Sequence, residues 1–262
     1  METTPYVRES GSGVSVICLH SAASSSGQWR ALMSALSDTY HVVAMDLYGY
    51  GKSPDWTESR DVCLADEISF IEPVISQANH FHLVGHSYGA HVALRLALDN
   101  PGRVRSLTLY EPVAFYLLKP DEAARLEIET IRDETIRLIA SGVDESAAEC
   151  FLDYWIGPGA WAAVPQPARA GILKGMQKIK AEWKTGFEPT CLPEQIQTLS
   201  MPVLLLTGSQ TTSSARGVMQ VIRGLLPNAA YVELSGLGHM GPVTHPDAVN
   251  REIGNFIAAQ DG

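Results

Sequence analysis

The chain has 262 residues, 45% of them hydrophobic and 18% charged, with 22 glycines and 15 prolines; this is the composition of a globular protein able to bury a full core, not of a disordered or fibrous one. Its formal net charge of -10 argues against the clustered basic footprint that nucleic acid or an anionic membrane surface requires. No apolar run approaches the length of a membrane span, and the first residues carry neither the basic start nor the apolar stretch of a secretory signal, so a cytoplasmic protein that does not engage membranes is expected.

Taken in chain order, apolar runs rich in β-branched residues occur at Val14–Leu19, Val42–Met45, His82–Gly85 and Val104–Tyr110, and again at Val203–Thr207 and Tyr231–Leu234. Such runs are what buried strands look like. Between and after them, Gln28–Ser37, Asp61–Gln77, Tyr88–Asp99, Ala215–Leu226 and Pro246–Ala259 carry apolar residues at intervals of three and four, the mark of helices with one buried face. Alternating strands and helices predict an α/β fold, a mostly parallel sheet with helices on both faces. After Tyr110 the alternation stops. Residues 115–199 hold no convincing strand but several helical stretches, Asp121–Ala140, Glu145–Trp155, Pro167–Trp183 and Pro193–Thr198, punctuated by Gly142, Gly157-Pro158-Gly159, Pro165 and Pro189. A helical cap at 115–199, inserted into a core of 1–114 and 200–262, is therefore expected.

Gly85-His86-Ser87-Tyr88-Gly89 fits G-x-S-x-G and sits between a strand and a helix, the context in which the motif has mechanical meaning. A serine on so sharp a turn projects its hydroxyl from the end of the sheet, and the flanking glycines let neighbouring chain pass close by. The sequence resembles the α/β-hydrolase family through this turn and three further segments: Cys18-Leu19-His20-Ser21-Ala22 with Trp29, Met45-Asp46-Leu47-Tyr48-Gly49-Tyr50-Gly51-Lys52-Ser53, and Gly236-Leu237-Gly238-His239-Met240. The resemblance implies a sheet of about seven strands rather than eight, because the short stretch before Val14 leaves little room for the usual leading hairpin.

A serine hydroxyl needs a base within hydrogen-bond reach. His239, in a glycine-bracketed loop after the last strand, is the expected one, and the resemblance implies the same. His20 is expected to brace a loop instead. By the same resemblance the backbone N–H groups of Ala22 and Tyr88 would form the oxyanion hole, although Ser21 stands where the family usually has glycine. The triad acid departs further. The family usually places it soon after the penultimate strand, but the chain has Gly208-Ser209-Gln210-Thr211 there and no Asp or Glu between Glu194 and Glu233. Some members put the acid at the end of the preceding strand, the place occupied by Glu111. The alternative is that Glu111 pairs with an arginine or lines the pocket while a neutral group orients His239.

Phe115, Tyr154, Trp155 and Met240 are the expected substrate contacts. With no Arg or Lys clamp in the elbow or oxyanion segments, a small uncharged carboxylic ester is the expected partner, cleaved through an acyl-enzyme on Ser87. Lactones, amides, carbon–carbon bonds and a non-catalytic ligand-binding role are the alternatives. No cofactor is implied. Cys18, Cys63, Cys150 and Cys191 lack metal-ligand or redox spacing, so no metal site is expected and each cysteine is read as a small buried hydrophobe.

Overall fold

A computed structural model describes residues 4–57 and 60–261. A seven-stranded sheet runs β1-β3-β2-β4-β5-β6-β7, where β1 is Val7–Ser10, β2 Ser15–Leu19, β3 His41–Met45, β4 Phe81–His86, β5 Val104–Tyr110, β6 Val203–Gly208 and β7 Ala230–Leu234. Only β1 is antiparallel; it pairs with β3 at the edge, and every other pairing is parallel. Among the described residues one strand precedes Val14 rather than two, and the sheet has the seven strands expected. The central strand β4 and the strand β6 are buried along their whole length; β6 therefore reads as a near-continuous apolar run and not as an alternating one, while β4 also buries His82 and His86.

Helices cover both faces. In chain order they are α1 (Arg30–Leu36), α2 (Leu64–Ile75), α3 (Tyr88–Asp99), α4 (Ala123–Ala140), α5 (Asp144–Ile156), α6 (Ala160–Ala163), α7 (Gln166–Phe187), α8 (Pro193–Ile196), α9 (Ser213–Leu225), α10 (Gly241–Thr244) and α11 (Pro246–Ala258). On one face Leu32 and Leu36 of α1 pack with Val249, Ile253 and Ile257 of α11 against Val16, Cys18, Val42 and Ala44. On the other, Phe70 and Ile71 of α2, Val92 and Leu96 of α3 and Val218 and Ile222 of α9 pack against Ile17, Leu19, Val43 and Leu205. The alternation of Val16, Ile17, Cys18 and Leu19 between the two clusters is the period-two geometry of a strand buried on both sides.

Three helices begin later than their apolar pattern suggests, α4 by two residues and α1 and α2 each for a local reason. Helix α1 is preceded by a 3-10 turn at Ser26–Trp29, where the Ser25 hydroxyl accepts from Gly27 N. Helix α2 starts at Leu64 and not Asp61, because the Asp66 carboxylate reaches back to accept from Cys63 N at 2.9 Å and closes the first turn. Helices α4 to α8 all lie between β5 and β6 and join the larger core cluster through Ile128, Phe151, Trp155, Ile179 and Trp183. Cys18 and Cys191 are buried, but Cys63 is exposed and Cys150 only partly covered, so the cysteines are not uniformly core residues. Among the described residues, no helix is long and apolar enough to cross a membrane.

Candidate active site

Ser87 occupies the sharp turn between β4 and α3, with φ 56° and ψ -116°, a left-handed backbone costly for any residue but glycine. Two glycines make the turn possible. A Cβ at Gly89 would lie 2.4 Å from the Leu19 carbonyl oxygen and 2.5 Å from that of His20, and one at Gly85 would lie 2.5 Å from the Ala90 Cα. These are backbone atoms that cannot step aside. The turn is tied down by Ser87 N donating to Tyr110 O at 2.9 Å and Gly89 N donating to His20 O at 3.1 Å.

The Ser87 hydroxyl lies 2.9 Å from His239 Nε2, and His239 Nδ1 lies 2.7 Å from Glu111 Oε2. All three residues are buried. A carboxylate only accepts, so Nδ1 carries the ring proton and Nε2 is left to accept from serine. Glu111 has a φ of 47°, a second strained non-glycine residue at the carboxyl edge of the sheet. Its remaining capacity is filled: Oε1 accepts from the Thr207 hydroxyl at 2.7 Å and from Gly208 N at 2.8 Å, and Oε2 accepts from the Thr211 hydroxyl at 2.6 Å. Burial pushes the Glu111 carboxyl upward, but the His239 hydrogen bond and charge, together with Thr211 and Gly208, outweigh it and hold the group below its ordinary value. Among the described residues no arginine shares it. Thr211, at the place the family usually gives to an aspartate, donates to the glutamate that lies beside His239.

The loop bearing the histidine is held by the ends of two strands. His86 Nε2–H donates to the His239 carbonyl at 2.9 Å, and the Tyr110 hydroxyl donates to the Gly238 carbonyl at 2.7 Å. His86 stays neutral, since burial and the neighbouring His239 hold its pKa well below the ordinary value. The loop after β2 is braced in a similar way. His20 Nε2 accepts from Leu47 N at 2.9 Å, which puts the ring proton on Nδ1, donating to Ser21 O at 2.7 Å. Ser21, where glycine was expected, uses its hydroxyl to reach Gln28 Oε1 at 3.1 Å. Ala22 follows, and Ala23 turns the chain back with φ 54°.

Two cavities meet at Ser87 and Ala22. A small inner one is walled by Tyr88, Val113, Phe115, Phe151, Ile179 and Trp183. A wider outer one opens past His239, Met240, Ile172 and Val243; Trp155 and Phe151 border both. Phe115, Trp155 and Met240 are thus at the serine. Tyr154 is not: its hydroxyl is turned toward Glu127 Oε1 and Ser214 Oγ, each at 2.7 Å, and it borders neither cavity. Residues one apart on a helix point about 100° away from each other, so Tyr154 and Trp155 cannot serve the same wall.

One group escaped sequence reasoning altogether. Lys178 Nζ, buried, donates to Glu67 Oε1 at 2.5 Å and to Glu182 Oε2 at 2.9 Å, while the Tyr50 and Tyr88 hydroxyls donate to Glu182 and Glu67. Glu182 borders the inner cavity. Its carboxyl is pushed up to about 7, by burial first and by Glu67, against the pull of Lys178 and Tyr50. Lys178 stays protonated because both carboxylates outweigh its burial. The i, i+4 pair Lys178/Glu182 reads in sequence as a solvated helix face.

A family-wide sequence model described as the alpha/beta hydrolase family matches residues 16–252. The chain is 26% identical to a pimeloyl-[acyl-carrier protein] methyl ester esterase of Nitrosomonas europaea over 92% of its own length and 95% of that protein. It is also 26% identical to a 2-(acetamidomethylene)succinate hydrolase of Mesorhizobium japonicum, covering 98% of this chain and 92% of the other. Among solved structures, a thermophilic esterase from Thermogutta terrifontis superposes with a TM-score of 0.78 at 21% identity, covering 98% of this chain and 93% of that one.

Proposed function

Because the chain belongs to the alpha/beta hydrolase family, we propose that it is a serine esterase acting on small uncharged carboxylic esters through an acyl-enzyme on Ser87. The observation that carries this reading is the unbroken relay from Ser87 Oγ to His239 Nε2 and from His239 Nδ1 to Glu111 Oε2, at 2.9 and 2.7 Å. The esterases named among its relatives support the same chemistry.

Ser87 Oγ attacks the acyl carbonyl carbon as His239 Nε2 takes its proton. The imidazolium so formed is balanced by Glu111, which stays ionised and does not itself accept the proton. Negative charge on the carbonyl oxygen is met by the Ala22 and Tyr88 backbone N–H groups, and Tyr88 is also the first residue of α3, so the positive end of that helix faces the oxyanion. Collapse breaks the C–O bond, and the alkoxide leaves with the proton from His239. Water, deprotonated by the same histidine, then attacks the acyl carbon and frees Ser87.

The apolar inner cavity suits the acyl group and the wider outer one the alcohol. Residues 115–199 act as a cap domain on a core of 1–114 and 200–262, walling the inner cavity with Phe151, Ile179 and Trp183. The test is a panel of chromogenic esters of increasing acyl length together with labelling by a small fluorophosphonate. Wild-type protein should label at one residue and prefer short apolar acyl groups. Ser87→Ala should lose the label and about 10⁶ in kcat. Labelling that survives in Ser87→Ala, or wild-type protein that never labels, overturns the proposal, the latter in favour of a ligand-binding role.

A further inference from the structure

Trp155 does more than border the cavities. Its ring lies 4.1 Å from that of His239, centroid to centroid, at an interplanar angle of 32°, so the indole face is laid across the imidazole. We infer that Trp155 is a positioning residue for the base, with its π face holding the His239 ring in plane with Ser87 and Glu111 and stabilising the imidazolium that forms when the serine proton is taken. This rests on His239 being the base.

The indole is itself held from several sides. Phe115 stacks behind it at 6.3 Å and 18°, and Tyr154 meets it edge-on at 4.8 Å. The Tyr154 hydroxyl, engaged with Glu127 and Ser214, anchors this end of α5 to α4 and α9. Trp155 and His239 are both buried, so water weakens the attraction between a cation and the ring quadrupole less than at an exposed site. The other polar groups that face His239 are Glu111 at Nδ1, Ser87 at Nε2 and His86, whose ring centre lies 5.3 Å away and whose Nε2–H holds the His239 carbonyl. Glu111 engages the imidazole at its Nδ1–H through a hydrogen bond, and His86 is neutral. The indole therefore supplies the face-on interaction with the imidazolium. A neutral imidazole gains little from it. Attraction that grows only as charge develops lowers the barrier without tightening substrate binding.

Packing and electrostatics predict different responses to changes that keep the shape of the ring. Tryptophan carrying one, two or four fluorines on its benzo ring would be placed at position 155 alone, and kcat, KM and the second-order rate of fluorophosphonate labelling measured for each protein beside its melting temperature. kcat and the labelling rate should fall together in steps as fluorine is added, by a total of about 2- to 30-fold, the span of cation–π attraction between exposed and desolvated sites. KM and melting temperature should stay where they are. Trp155→Leu should lose at least as much kcat as the tetrafluoro protein and raise KM as well. A tetrafluoro protein with full kcat, beside a Trp155→Leu variant changed only in KM, overturns the inference and leaves Trp155 a pocket wall. Absence of labelling in the wild-type protein removes the serine–histidine chemistry beneath it, and the inference with it.

Discussion

The carboxyl edge of the sheet and the helical segment between β5 and β6 hold their buried polar groups by different means. At the sheet edge, Ser87 and Glu111 sit at positive φ, glycines with no room for a Cβ flank the serine, and bonds between side chains and the main chain fix the loops. In the helical segment, the buried groups are held mostly by side chains, stacked aromatics and the Lys178 cluster, with Val62 N donating to Ala181 O at 2.9 Å as a main-chain tie to the core. Two buried carboxylates record the contrast. Glu111 is surrounded by donors and held ionised, whereas Glu182 shares its single cation with Glu67 and is pushed up to about 7. A site built on backbone is rigid and specific to one chemistry. Side-chain packing above it is easier to vary.

The largest effect should come from breaking the rigid side. Glu111→Gln keeps the shape but replaces the ionised acceptor, so it no longer fixes the His239 tautomer or balances its charge. kcat should fall by about 10³- to 10⁴-fold with KM little changed, because the lost interaction is made in the transition state. Steady-state kinetics of the purified variant beside a melting curve checks this. Retention of more than about a tenth of wild-type kcat would mean that Glu111 only shapes the pocket.

That Glu111 stands beside His239 was partly legible in the sequence, through the carboxylate-free stretch around Thr211 and the resemblance to members with an acid after the preceding strand. Its support was not. Thr207, Gly208 and Thr211 lie 96 to 100 residues from Glu111, and nothing local to either segment signals the contact. The buried parallel strands were readable because burial on both faces leaves a run of β-branched residues. β1, with sequence Val7-Arg8-Glu9-Ser10 and three of its residues half-covered, leaves no such run and went unassigned. The helical segment was readable as helices, but the roles of its side chains were not, as Tyr154 and the Lys178–Glu182 pair demonstrate. Facing of one helix against another is decided by tertiary packing.

A middle-sized effect separates the two carboxylates by pH. Glu182 has a folded pKa of about 7, above the roughly 4.3 of an unfolded glutamate. Its favourable share of stability is therefore fully present below about pH 4 and lost as pH rises through about 7, on the order of 3 kcal/mol in all. Glu111, depressed in the folded state, acts with the opposite sign: its contribution is present above the unfolded carboxyl pKa and lost as pH falls through the lower folded value. Denaturant midpoints taken at pH 5 and pH 8 should show the wild-type protein weaker at the higher pH. In Glu182→Gln that difference should shrink by most of its size. An unchanged difference would assign the pH response to another group.

The smallest effect probes how far the rigidity of the sheet edge depends on any one contact. The Tyr110 hydroxyl donates to Gly238 O at 2.7 Å, while the adjoining carbonyl, that of His239, accepts from His86 Nε2–H at 2.9 Å. Tyr110→Phe removes the first hold without opening a cavity, since only the hydroxyl is lost, and Gly238 O keeps the bond from Gly241 N at 3.0 Å. The cost is then that of one ordinary hydrogen bond, about 1 kcal/mol. Because the bond acts on the loop that carries the base, its loss should appear as misalignment of His239, lowering kcat about fivefold while KM holds. His86→Phe should do comparable damage. If the two contacts share one job, the double variant should lose more than the product of the single losses, for the loop is then freed at both carbonyls. Strictly multiplicative losses would mean that Tyr110 and His86 hold the loop independently of one another.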